Sequence, residues 1–98
     1  MIDTIPGVTT VGGIAFDDVT FDREADVLYL WVGAPRQPTH DDASPEGHYI
    51  QFGEHGEVIA ITIVNARFIL EREGSITVTL PDGSRLRAIG LEGVLAAA

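Results

Sequence analysis

Val27-Leu28-Tyr29-Leu30-Trp31-Val32, entered through Phe21-Asp22-Arg23-Glu24-Ala25-Asp26, is the stretch whose reading decides the fold. All six residues of the run are apolar, and each is β-branched, aromatic or Leu. On a strand successive side chains point to opposite faces, so Val27, Tyr29 and Trp31 go one way and Leu28, Leu30 and Val32 the other. The expectation is a central strand covered on both sides, or an edge strand that a second subunit covers. Val58-Ile59-Ala60-Ile61-Thr62-Ile63-Val64 reads as a second strand of the same kind, inside the sheet.

Outward from this centre the chain reads as short strands joined by turns. Val19–Phe21 is expected to form an antiparallel hairpin with Val27–Val32 through the polar turn 22–26, whose carboxylates accept backbone N–H bonds as Asp does in Asx-turns. Ile14-Ala15-Phe16 precedes it, set off by Asp17-Asp18 at a bulge or bend. Pro6-Gly7 and Gly12-Gly13 punctuate an extended arm over residues 1–13, with a short edge strand as the alternative. Residues 33–47 hold three prolines and no apolar periodicity, and read as a long loop. Tyr49–Phe52 alternates toward Gly53-Glu54-His55-Gly56-Glu57, a hairpin loop.

Asn65 is positioned to cap a short helix over about residues 66–73, with Gly74 just past its end. The competing reading makes Arg67–Leu70 a strand and Glu71–Gly74 a turn. Ser75–Leu80 alternates with Ile76, Val78 and Leu80 inward, Pro81-Asp82-Gly83 is a strong turn, and Ser84–Ile89 returns with Arg85 and Arg87 on one face. The tail 90–98 is apolar and weakly patterned. The fold expected is a single domain over 1–98, mainly β, an antiparallel sheet of hairpins that curls or stacks in two layers, with at most one short helix.

Composition narrows function. The chain of 98 residues carries a formal charge of -9, and its six basic residues are all Arg. Residues 1–57 hold eleven carboxylates against Arg23 and Arg36, whereas residues 58–98 hold four against four Arg. Nucleic-acid binding relies on cations that displace counterions from phosphates, so it is excluded as an expectation; the acidity reads first as charge that keeps a small protein soluble and monomeric, and second as a surface for a basic protein partner. Absence of cysteine excludes disulfides, thiolate metal sites and a cysteine nucleophile. No apolar run approaches the ~20 residues of a membrane span, and the opening Met1–Gly7 has no basic or apolar leader pattern, so a cytoplasmic location is expected. A chain this short buries only ~60–65% of its unfolded surface, and assembly into a homo-oligomer would add to a small core.

Few residues carry chemistry. His40-Asp41-Asp42, with His48 and His55 further on, is the one cluster of metal-ligand types, and it supports an alternative reading as a small metal-dependent hydrolase. Against this, exposed loop residues are the ordinary role for such a cluster, and no catalytic residue, metal or cofactor is assigned. Asp22, Glu24 and Asp26 fit turn acceptors better than an acid/base pair, and the spacing of a calcium loop is absent. Ser44, Ser75 and Ser84 lack a G-x-S-x-G setting, and no glycine-rich phosphate loop precedes a helix. Tyr29 and Trp31 share a face and are core or interface residues; on a monomer surface they would mark an association site.

Phe21, Asp22, Asp26, Leu28 and Tyr29, followed by Gly56, the strand 58–64 and Asn65-Ala66, resemble a family of small bacterial and archaeal proteins, the domain-of-unknown-function family numbered twenty-two eighty-three. The likeness spans about residues 19–67, with Phe21 where Tyr is usual, Ala60 where Gly is usual, Thr62 in place of an acid and Arg67 in place of Ser. No activity is attached to that family. The resemblance implies a partnership with small toxin-like proteins, that is, an antitoxin-like role. The function expected is therefore a non-enzymatic, self-associating protein-interaction module.

Overall fold

Two antiparallel sheets are stacked face to face in the computed structural model, which describes residues 2–88, 91 and 95. The strands are β1 (Ile2–Ile5), β2 (Thr9–Val11), β3 (Ile14–Phe16), β4 (Asp18–Asp22), β5 (Val27–Trp31), β6 (His40–Ala43), β7 (Tyr49–Phe52) and β8 (Val58–Val64). The helix α1 (Ala66–Glu73) and strands β9 (Ile76–Thr79) and β10 (Arg85–Ala88) complete the described elements. One sheet has six strands in the order β1-β4-β5-β8-β7-β6, the other four in the order β3-β2-β10-β9. The mainly β, two-layered fold read from the sequence is the fold observed.

β5 lies at the middle of the large sheet because it is the apolar strand that two neighbours can both pair with. Leu28 stands between Phe21 of β4 and Ile63 of β8, and Leu30 between Val19 and Ile61. These six side chains are buried, and with Ile50 they form the inner face of the large sheet. The small sheet supplies Val11, Phe16, Ile76, Val78, Leu86 and Ala88 to the same core, and Leu91 and Leu95 join it. Alternation places Arg85 and Arg87 outside and Leu86 and Ala88 inside, as period-2 reasoning requires.

Four expectations are corrected by the three-dimensional arrangement. The segment 1–13, expected as an arm or one short edge strand, contains two strands: β1, at the edge of the large sheet beside β4, and β2, inside the small sheet between β3 and β10. The loop expected over 33–47 contains β6, paired with β7 in register His40 to Phe52 and Ala43 to Tyr49. Its polar side chains hid it: an edge strand satisfies its backbone on one side, and carboxylates there keep further strands from adding. The chain crosses between the sheets at Asp17, whose N–H reaches Trp31 O (3.1 Å) and whose Oδ1 accepts Gly33 N–H (2.6 Å). β5, finally, is sealed on one face only. Leu28 and Leu30 are fully buried, while Val27, Tyr29 and Trp31 are half-buried, because among the described residues the second layer covers only the inner side.

The fourth correction concerns the helix. Residues 66–73 are helical, but Asn65 does not cap them with its side chain; it sits in the left-handed region (φ 58) without a capping bond. The cap is Asp26, itself left-handed (φ 57) at the end of the β4–β5 turn. Its Oδ1 accepts Arg67 N–H (2.8 Å), its Oδ2 accepts Phe68 N–H (3.0 Å) and its carbonyl accepts Ala66 N–H (3.1 Å). Three N–H groups that a helix start leaves unpaired are thus satisfied by one residue, with a negative charge at the positive end of the helix. Asp22 closes the same turn by accepting Ala25 N–H (3.2 Å).

Two predictions follow from these contacts. Asp26→Ala removes the two side-chain caps on Arg67 and Phe68 N–H, leaving only the backbone bond to Ala66, and is expected to cost about 2 kcal/mol, with Asp26→Asn costing less because one acceptor oxygen survives, both read as a shift of the urea midpoint. Gly12 has φ +57, and a Cβ there would lie 2.9 Å from Leu86 Cα, whereas Gly13 (φ +85) has open space around the same position. Gly12→Ala should therefore destabilise by more than about 2 kcal/mol by displacing β10, and Gly13→Ala by about 1 kcal/mol from backbone strain alone.

Candidate functional site

The outer face of the large sheet follows directly from its register. One row across it reads Ala43, Tyr49, Thr62, Tyr29, Thr20 and Thr4; the next reads Asp41, Gln51, Ala60, Trp31 and Asp18; the third reads Val64, Val27, Asp22 and Ile2. Tyr49 and Ile2 are exposed, at 53% and 61%, and Tyr29 and Trp31 are half-buried by their neighbours in the sheet. The aromatic centre is bordered by Asp18, Asp22 and Asp41, and no Arg stands in these rows. Val27 and Val64 take no part in the hydrophobic core. The face is therefore apolar in the middle, acidic at its margin and without a second layer among the described residues.

The residues considered for metal binding do not converge. His40 and Asp42 alternate onto one side of β6 and bond to each other (Nε2 to Oδ2, 2.9 Å), with the imidazole stacked 5.9 Å from the Phe52 ring. Asp41 points to the opposite side. His48 is buried after the β6–β7 turn, where its Nδ1 accepts Val64 N–H (3.1 Å). Among the described residues no three His, Asp or Glu side chains are grouped as a metal site would need. The hydrolase alternative loses its ligand set.

A different group does come together, and sequence reasoning missed it. Glu46, His48, Ile69, Arg72, Glu73, Ser75 and Thr77 line a cavity of about 300 Å³ between the β6–β7 turn, α1 and β9. Glu46 is held in place by Thr79, whose N–H and hydroxyl donate to its two oxygens at 3.0 and 2.5 Å. That bond joins the large sheet's hairpin to the edge of the small sheet. Burial pushes the Glu46 pKa up, but the bonds from Thr79 and Ser44 together outweigh it and hold the carboxyl below its ordinary value. Burial pushes the His48 pKa down, opposed more weakly by the charge of Glu46.

Although Ser75, His48 and Glu46 share this cavity, they are not a nucleophilic triad. Because Nδ1 of His48 accepts a backbone N–H, the neutral ring carries its proton on Nε2. A general base needs a free lone pair toward the nucleophile, and an orienting acid needs an Nδ1–H to hold; His48 offers neither. The ring is a donor. The only signal that could have indicated this site is the pair Glu46 and His48 beside the glycine of the β6–β7 turn; their meeting with α1 and β9 is a matter of packing.

The other singled-out residues have architectural positions. Phe21 and Leu28 are core, and Arg67 lies with its guanidinium 5.4 Å from the Phe21 ring centroid while donating to Leu95 O. Gly56 (φ 76) turns the β7–β8 hairpin, with its N–H on Gly53 O (3.0 Å). No helix among the described residues is long and apolar enough to cross a membrane.

The pKa directions fix a pH dependence. His48 is depressed in the folded chain, so the unfolded chain binds the proton first, and the stability His48 contributes is present above the ordinary imidazole value of about 6.5 and lost as pH falls below it. Glu46, also depressed, contributes stability above the ordinary carboxylate value of about 4.3 that is lost as pH falls through its folded value. The urea midpoint is expected to drop as pH falls from neutral, first through His48 and then through Glu46. His48→Asn, which keeps an acceptor for Val64 N–H, should remove the first drop and leave the second.

Comparison with curated proteins and with solved structures returned no match. A family model described as protein of unknown function, DUF2283, matches residues 18–67. That span runs from β4 through β8 to the first residues of α1, so it supplies five strands of the large sheet, while β1 and the whole small sheet come from the flanking segments. With the family motif accounted for by the core, the Asp26 cap, the two hairpin turns and the outer-face Tyr29, this chain belongs to the DUF2283 family of proteins of unknown function.

Proposed function

We propose that the chain is a non-enzymatic protein-interaction module whose outer sheet face receives a basic protein partner, in the manner of an antitoxin and its toxin. The observation that carries this reading is the face, uncovered among the described residues, built on Tyr29, Trp31 and Tyr49 and bordered by Asp18, Asp22 and Asp41. Six strands at ~4.8 Å spacing make it about 24 Å wide, the scale of a standard interface patch. Tyr and Trp contribute large contact area at low entropic cost, and the acidic margin steers a cationic surface toward them.

A second copy of the chain is the weaker occupant of that face. Two copies stacked face to face set carboxylate margins of one sign against each other, on chains that each carry a charge of -9. The sequence-based expectation of a homo-oligomer is retained only as an outcome to be measured.

The test is co-purification at low salt from the native host, with wild-type protein and Trp31→Glu side by side. The expected result is a retained protein of basic pI, released by high salt, lost with Trp31→Glu, and accompanied by a blue shift of Trp31 fluorescence. Retention that is indifferent to Trp31→Glu overturns the proposed face, and a dimer by light scattering that Trp31→Glu dissolves assigns the face to self-association instead.

A further inference from the structure

We infer that the cavity between the β6–β7 turn, α1 and β9 binds a small zwitterion of the amino-acid type, its carboxylate accepting from His48 Nε2–H and its ammonium held by Glu46. The site lies apart from the outer sheet face, and its ligand is independent of any protein partner.

The argument begins with His48, which is only 1% exposed. Its Nδ1 is satisfied by Val64 N–H, no described group accepts from Nε2–H, and no sealed polar side-chain atom among the described residues lacks a partner. Nε2–H must therefore lie on the little surface that His48 retains, which is the cavity wall. A nearly buried donor that faces a cavity has a place for an acceptor, since buried polar groups are stable only when bonded.

The charges beside it select the rest of the ligand. Glu46 is ionised and fixed by Thr79, and Glu73 and Arg72 stand at the exposed mouth, paired to each other at 2.8 Å. A simple anion on His48 would face the Glu46 carboxylate, and a simple cation on Glu46 would leave the His48 donor unmet. A ligand with both signs on adjacent atoms satisfies both walls, and Arg72 can add a second donor to its carboxylate. Ser75 and Thr77 offer hydroxyls and Ile69 an apolar surface for an aliphatic stem. About 300 Å³ is at the small end of ligand cavities, which suits a free amino acid better than a nucleotide or peptide.

The experiment is a titration of ¹⁵N-labelled full chain with each proteinogenic amino acid at millimolar concentration, with acetate and methylammonium as the two half-ligands. It follows the His48 ring by long-range ¹H–¹⁵N correlation and the Ser75 and Thr77 amides. The expected result is a saturable shift of His48 Nε2 with at least one amino acid and with neither half-ligand. Glu46→Gln, which keeps an acceptor for Thr79, should weaken binding by about tenfold, and His48→Asn, followed by the amides, should do the same. No shift with any amino acid, an equal shift with acetate alone, or unchanged affinity in Glu46→Gln overturns the proposal. Loss of outer-face partner binding has no bearing on it.

Discussion

Burial of the inner face of the large sheet is the interaction on which everything else depends. Val19, Phe21, Leu28, Leu30, Ile61 and Ile63 form three adjacent strands' worth of apolar side chains, each contributing about 1.5–3 kcal/mol when removed from water. A sheet face of that kind cannot stand alone, and in this chain the segments on either side of residues 18–67 fold back to cover it as the small sheet. The requirement also explains why β2 and β10, far apart in sequence, meet at Val11 and Ala88.

The cover is locked down by polar ties rather than by more apolar area. Asp26 draws the start of α1 onto the β4–β5 turn, Arg67 in that first turn reaches from Phe21 to Leu95 O, and Glu46 binds the edge of β9 through Thr79. Arg67 stands where the resembled family carries Ser, and through Leu95 O it ties the family core to the C-terminal segment beyond it. Each tie satisfies backbone groups at a strand edge or helix end that would otherwise compete for water.

Among the described residues the cover lies on one side of the large sheet only, and this asymmetry separates two kinds of surface. The outer face is broad, aromatic and acid-bordered. The seam where the cover closes encloses a small polar cavity lined by the buried His48 imidazole. His48 shows how local bonding decides chemistry: the same ring with its Nδ1 turned to an acceptor would present a base, whereas here it presents a proton.

The sequence by itself determined the strand centre, the turns and the charge. Runs such as 27–32 and 58–64 favour strands because they are short and rich in β-branched and aromatic residues, and Pro81-Asp82-Gly83 favours a turn through its fixed and its permissive φ. The antiparallel pairing of 19–21 with the run 27–32 and the family motif were legible for the same local reason, whereas 66–73 was legible as either a helix or a strand and turn, and its helix was settled by the fold. Tertiary structure alone decided which face of 27–32 is covered, that His40–Ala43 is an edge strand, that Asp26 rather than Asn65 caps α1, and that Glu46 and His48 meet α1 and β9. These depend on contacts between residues tens of positions apart, whose geometry is set by how two sheets fit together and leaves no periodic trace in the chain.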